Sequence, residues 1–282
     1  MIYSKLKIRN CLNIYISLKE IFLRFFIFLK SLFGLNIKYY PGYILFTSSN
    51  KKIEMLDLLN KQLSKYNKSE KDKFVFVEIG SYLGESLNLF GREIHKKLKD
   101  NYLIISIDPF EEYANDHETS DSGIYKMSKN ITKIHSYFNN NIMNSNFKNY
   151  HTHIKMKSDD AFLILKKDNI KVDFCYIDGN HYYNFFKNDF INFFSIIKDK
   201  KNYKGMICGD DYELSFDEVK EIFSLNDLET EKFLLDNISK DFVYYKNKEN
   251  TKKGFHPGIT LFFHESKINI KKHKSGFWFK EQ

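Results

Sequence analysis

From residue 74 onward, short solid apolar runs alternate with longer stretches in which apolar residues return every three or four positions. The solid runs are Phe74–Ile79, Tyr102–Ile107, Val172–Ile177 and Gly205–Cys208, with a shorter one at 150–156. Predominantly apolar runs of this length read as strands buried on both faces. The stretches at 52–66, 84–99, 131–146, 158–167, 182–199 and 216–225 carry helical spacing. Two further runs, Phe242–Tyr245 and Ile259–Phe263, read as a late pair of strands closing the sheet edge as a hairpin. Strand–helix units repeated about five times imply a parallel sheet with helices on both faces. The expected fold is therefore α/β: a Rossmann-like, mixed seven-stranded sheet.

The amino-terminal part differs. Leu18, Ile21, Phe22, Phe25, Phe26, Leu29 and Phe33 recur at helical spacing, but Lys19, Glu20, Arg24 and Lys30 interrupt them. The uninterrupted stretch falls short of the roughly 20 residues that span a bilayer. Residues 1–66 read as an amphipathic helical extension and 67–282 as the main domain. Three partners remain open for the apolar face at 12–34: the domain itself, a second copy of the chain, or a membrane surface. Residues 111–130 are polar and acidic without apolar periodicity, and read as a long loop or lid.

Composition changes this picture little. With 43% hydrophobic and 17% aromatic residues among 282, the chain can bury a sizeable core. The net charge of +8 invites an anionic partner. The basic residues are nearly all lysine, however, and they accompany abundant Asn, Ile, Phe and Tyr, the signature of a biased composition rather than of a phosphate-binding surface. Nucleic acid is not the expected partner. Cys11, Cys175 and Cys208 are odd in number and widely spaced, as in a protein of a reducing compartment.

The chemistry gathers where strands end. In VFVEIGSYLGES the first strand runs into Gly80, with Gly84 four residues on. Such a turn requires residues without Cβ and brings backbone N–H groups close to a ligand. Glu78 would repel the pyrophosphate of a dinucleotide but suits a ligand bearing an amino group and a sulfonium. Asp108, ending the second strand, can hold both ribose hydroxyls of a nucleoside, and Asp159, past the third, can meet an adenine amino group. Asp178 ends the fourth strand in FCYIDGNHYY, and Asp210 and Asp211 end the fifth in GMICGDDY. Neighbouring strand ends lie about 5 Å apart, so three carboxylates there call for a hard divalent cation such as magnesium. That cation would acidify an acceptor hydroxyl, and His181, three residues past Asp178, would take its proton. The paired His151 and His153 do not form a convincing metal spacing, and His256 sits in a loop from which it can approach the acceptor.

The blocks EIGSYLG, IDPF, YIDGNH and CGDDY, in that order, resemble the class I S-adenosylmethionine-dependent methyltransferases. The resemblance covers about residues 70–265. It implies cofactor contacts from Glu78, Gly80, Ser81, Tyr82, Gly84, Ser86 and Asp108. Asp-x-x-His followed by a paired acid is similar to the metal-dependent sugar O-methyltransferases of antibiotic tailoring and to the cephalosporin-hydroxylase-like group. By that resemblance Asp178, Asp210 and Asp211 would bind magnesium, and His181, with Asp178, would be catalytic. The paired acid is Asp-Asp here, where some relatives have Glu-Asp. The implied function is O-methylation of a sugar or surface-glycan precursor by a cytoplasmic enzyme, with a peripheral place at the inner membrane surface and a homo-oligomeric state left open. Two rival readings stay open: a metal-independent methyltransferase acting on RNA or protein, and a non-catalytic nucleoside-binding module.

Overall fold

The structure, a computed structural model, describes residues 49–66, 72–111, 131–247 and 249–282. The amphipathic segment at 12–34 and all but the first residue of the lid at 111–130 lie outside the described residues. Eleven strands and eight α-helices follow in the described chain. In order they are α1 (Ser49–Lys65), β1 (Phe74–Ile79), α2 (Glu85–Leu98), β2 (Tyr102–Ile107), α3 (Ile131–Met143), β3 (His151–Ile154), α4 (Ser158–Lys167), β4 (Phe174–Ile177) and α5 (Tyr183–Ile196). There follow β5 (Asp199–Lys200), β6 (Tyr203–Lys204), β7 (Met206–Gly209), α6 (Phe216–Phe223), α7 (Asp227–Asp236), β8 (Val243–Lys246), β9 (Lys252–Phe255), α8 (Pro257–Ser266), β10 (Lys271–Lys272) and β11 (Trp278–Glu281).

The main sheet has seven strands in the order β10-β11-β7-β4-β1-β2-β3. Strands β3, β2, β1, β4 and β7 run parallel, and β11 is antiparallel to both its neighbours. The alternation of side chains along each strand divides the core into two layers. Phe74, Phe76, Tyr102, Ile104, Phe174, Tyr176, Met206 and Cys208 face α1, α2 and α3. Val75, Val77, Ile79, Ile105, Ile107, Cys175, Ile177 and Ile207 face α4, α5 and α8. Helix α1 is part of the first layer, with Met55, Leu58, Leu59 and Leu63 buried there.

The carboxyl ends are in register: Ile79 pairs with Ile107 and Ile177, Ile107 with Ile154, and Ile177 with Gly209. The residues that follow, Asp108, Gly80, Asp178 and Asp210, therefore stand in that order along one edge. This is the edge at which open α/β sheets bind ligands.

Two expectations for the last quarter of the chain are corrected. Ile259–Phe263 is helical, inside α8, with Pro257 in the first turn, where its fixed φ favours a helix and its missing N–H costs nothing. All of Pro257–Phe263 is buried, so the run shows no polar face by which its period could be read. The strand near Phe242 exists as β8, but it pairs with β9 in a separate hairpin. The sheet is closed instead by β10 and β11, whose Trp278 is fully buried. Gly209 admits that indole: a Cβ there would sit 2.4 Å from the Trp278 ring.

Below the sheet, Asp173 is fully buried and pairs at 2.8 Å with Lys198, itself almost fully buried. Asp173 also accepts the Val75 N–H at 2.6 Å, tying the start of β1 to the strand beside it. Burial pushes the Asp173 carboxyl up, against the Lys198 ammonium. Replacing Lys198→Met should leave that carboxylate without its cation and lower unfolding free energy in urea by about 3–5 kcal/mol. The double variant with Asp173→Asn should recover much of the loss; an unaltered midpoint for the single variant would contradict this role.

Candidate active site at the strand ends

The glycine turn is held from three sides. Gly80 has φ +81° and lies so close to the next strand that a Cβ would sit 2.0 Å from the carbonyl oxygen of Asp178. Only glycine tolerates both conditions. Gly84, at φ +79°, caps the start of α2. Between them Asp108 accepts the backbone N–H groups of Ser81 at 3.0 Å and Tyr82 at 2.9 Å on one oxygen, and that of Phe110 at 2.8 Å on the other. Burial raises the Asp108 carboxyl, against these three donors. A carboxylate offers about four acceptor sites, so Asp108 clamps the turn and keeps room for about one ligand hydroxyl.

Glu78 is fully buried, and neither carboxylate oxygen has a hydrogen-bond partner of good geometry. Burial pushes its carboxyl well above the usual range; the nearby Ser86 and Ser81 hydroxyls ease this, and Asp178 aggravates it. A buried acid left in this condition suits a ligand that brings a donor or a positive charge. Glu78, Gly80, Ser81, Tyr82, Gly84, Ser86 and Asp108 thus belong to one turn and its strand ends. Asp159 does not join them: it is exposed in the first turn of α4, and its carboxylate accepts from Asn188 and Asn192 of α5.

Beyond Gly80 lies the acid corner. Burial, then Asp211, raises the Asp178 carboxyl to about 6, with His181 and Lys51 opposing. Asp178 also accepts the Tyr176 hydroxyl at 3.2 Å. Burial and Asp211 likewise push Asp210 well above its usual range. The Lys51 ammonium, from the first turn of α1, pairs with Asp210. Burial disfavours that charge, but Asp210, Asp211 and Asp178 together raise the lysine pKa. The corner thus contains a cation supplied by the chain, a residue for which the sequence carries no signal.

Asp211 turns the other way, towards two imidazoles. His181 Nε2 lies 3.1 Å from one of its oxygens and His256 Nε2 3.9 Å from the other. Behind them, Asp241 meets His181 Nδ1 at 3.1 Å with its carboxylate and His256 Nδ1 at 2.9 Å with its backbone carbonyl. Burial works against the charge on His181, but Asp211 and Asp241 raise its pKa well above the usual value. The same contacts hold Asp211 and Asp241 far below the usual carboxylate range against the effect of burial. Asp241 lies just before β8 and Glu213 just after the acid pair, and neither has a spacing that marks it in the sequence.

A divalent cation on Asp178, Asp210 and Asp211 does not fit this arrangement. Asp210 is engaged by Lys51 and Asp211 by the imidazoles. Among the described residues, the three groups whose ligand atoms all lie within 4.8 Å of one another are His181, Asp211 and His256. Nearby, Tyr212 is buried against Phe263, and the Tyr183 hydroxyl donates to Glu265. Both serve packing. His151 and His153 bond the Ser106 hydroxyl at 2.8 and 3.0 Å, away from the acid corner.

Residues 77–212 match the family model described as a methyltransferase domain. An uncharacterised protein of Acanthamoeba polyphaga mimivirus is 33% identical over 149 residues, covering 52% of this chain and 55% of that protein. The chain thus spans about half the length of that curated relative. Similar solved structures include the O-methyltransferase TomG of Streptomyces achromogenes, involved in tomaymycin synthesis, with S-adenosylmethionine bound: 11% identity, 89% and 83% of the two chains, TM-score 0.46. The O-methyltransferase NovP is similar at 11% identity, 83% and 80% coverage and TM-score 0.47. A TDP-rhamnose 3'-O-methyltransferase of calicheamicin biosynthesis is similar at 12% identity, 73% and 79% coverage and TM-score 0.39. Residues 77–212, just under half of the chain, are thus similar to a methyltransferase domain.

Proposed function

We propose that the protein transfers a methyl group from S-adenosylmethionine to a hydroxyl of a sugar, free, nucleotide-linked or in a glycan precursor. The observation that carries this reading is the adjacency of Gly80 and Asp178: the turn that would seat the donor and an acid poised near neutrality meet at backbone distance. The Gly80–Gly84 turn and the unpartnered Glu78 would receive the methionine end of the cofactor, and Asp108 a ribose hydroxyl. The hydroxyl oxygen of the acceptor attacks the methyl carbon, the carbon–sulfur bond breaks, the sulfonium becomes the thioether of S-adenosylhomocysteine, and the hydroxyl proton passes to Asp178. A sugar suits the mouth because carboxylates dominate it, and carboxylates accept hydrogen bonds from hydroxyls.

Two details of the expected chemistry change. His181, which the motif marks as the base, faces Asp211 and Asp241, whose charges raise its pKa, and Asp178, beside the Gly80 turn, is the acceptor proposed for the proton. Magnesium assistance through Asp178, Asp210 and Asp211 lacks a converging ligand set, and the step is written without it. Lys51 supplies positive charge in the corner instead. This also supports the metal-independent alternative, though with a hydroxyl acceptor rather than RNA or protein. Among the described residues, no helix is long and apolar enough to cross a membrane.

Labelled S-adenosylmethionine offered with sugars and nucleotide sugars tests the reading; no transfer to any hydroxylated acceptor, with transfer to RNA or protein instead, would overturn it. Asp178→Asn should lower turnover by at least about 10²-fold while S-adenosylhomocysteine binding by calorimetry stays unchanged; full turnover removes Asp178 as the base. Gly80→Ala should push the two strand ends apart and weaken S-adenosylhomocysteine binding by about 10²-fold. An alanine variant that binds normally would show that the turn does not seat the donor.

A further inference from the structure

We propose that His181, His256 and Asp211 form a binding site for a transition-metal dication of the zinc class, beside the methyl-transfer site. The argument begins with the far sides of the two rings. His256 Nδ1 lies 2.9 Å from the backbone carbonyl of Asp241. A carbonyl only accepts, so this nitrogen carries a hydrogen, and the neutral ring offers its lone pair at Nε2. His181 Nδ1 is held in the same way by the Asp241 carboxylate at 3.1 Å. A carboxylate or carbonyl behind each imidazole is the arrangement that orients histidine ligands towards a metal.

The near sides converge. Both Nε2 atoms are buried and neither has a hydrogen-bond partner of good geometry. The rings lie 4.1 Å apart between centroids, and both Nε2 atoms face Asp211, at 3.1 and 3.9 Å. Neighbouring ligands of a tetrahedral ion with bonds of about 2.0–2.1 Å stand about 3.3 Å apart, between those two distances. The His256 side chain has no solvent exposure, and the Phe242 ring, 4.0 Å from it, closes the back of the site. Glu213 adds a candidate fourth ligand: one of its oxygens lies 3.9 Å from His256 Nε2, and the other is buried without a partner.

The donor set selects the ion. Magnesium takes oxygen ligands and keeps much of its water. Two imidazoles with one or two carboxylates suit zinc, iron(II) or cobalt(II). An ion there would join the segment before α5, the loop after β7 and the loop before α8, and would fix Asp211 away from Asp178 and Asp210. The competing arrangement has no metal: protonated imidazoles paired directly with Asp211 and Asp241.

The test uses the full chain, stripped with a chelator and titrated with cobalt(II) alone, without cofactor or acceptor. The expected result is one equivalent bound, with visible ligand-field absorption that zinc abolishes and magnesium does not. His256→Ala should lose the absorption and Asp178→Asn should keep it. No absorption in the unaltered protein, or absorption retained in His256→Ala, overturns the site. Should His256→Ala fail to fold, the imidazole ¹⁵N spectrum of the unaltered chain decides: zinc must shift both Nε2 resonances, and unshifted resonances overturn the site. Because the readout needs no methyl transfer, its failure would leave the proposed reaction standing, and the reverse also holds.

Discussion

The candidate site depends on one contact, the approach of Gly80 to the peptide after β4. The Asp178 N–H donates to the Ile79 carbonyl at 2.8 Å, and the Gly80 N–H to the Ile107 carbonyl at 2.9 Å. These extend the sheet ladder one step past the named strands on both sides of β1. The chain then has to leave the sheet, and at Gly80 it does so with a positive φ in a space too small for any Cβ. Because the turn is anchored there, Asp108 can reach its backbone N–H groups from one side while Asp178 is delivered on the other. A parallel sheet with aligned strand ends thus converts register into chemistry.

The charges at this edge follow from the same geometry. Five carboxylates, Asp178, Asp210, Asp211, Glu213 and Asp241, come from strand ends and loops that the fold brings together. In a poorly solvated mouth they must be protonated, paired or bound to a cation. The first two routes are seen in different places, and the metal site proposed above would add the third. Asp178 and Asp210 are pushed towards protonation, and Lys51 answers Asp210. Asp211 and Asp241 stay ionised because two imidazoles stand between them. Acids that look equivalent in the sequence are therefore opposite in character, and the difference lies in what each one faces.

This also marks how far the sequence could be read. Strands β1, β2, β4 and β7 were legible because a strand buried on both faces is a solid apolar run, and the acids were legible because they interrupt such runs abruptly. Glu78, Gly80 and Asp108 follow from position alone. Helix α8 was not legible, since a helix buried all round has no polar face to reveal its period. Helix α7 had its cap in plain view, Asn226 with Glu229 three residues on, but a weak apolar stripe. Closing strands β10 and β11 are short and hold the sheet through Trp278, a contact that no local pattern announces. Lys51 and Asp241 act across more than one hundred residues, in the case of Lys51, or from an irregular loop, in the case of Asp241. Only the packed chain shows where they point.

His256 belongs structurally to a small cap, whereas His181 lies in the loop that follows β4 of the sheet. Helices α6 and α7 and the β8–β9 hairpin enclose their own core of Leu214, Phe216, Val219, Leu234, Phe255 and Leu261. Thr260 fastens the start of α8 to this cap through the Leu214 carbonyl at 2.7 Å. Asp241 enters from the cap's hairpin, and His256 from the junction of β9 and α8. The cap thus supplies Asp241 to both imidazoles and the backbone of His256, whereas His181, Asp178 and Asp210 come from the ends of sheet strands. Asp211 stands at the junction, its backbone following β7 at φ +66° and its carboxylate turned to the cap. That left-handed conformation, uncommon for a residue with a Cβ, is what turns the second acid of the pair away from the first.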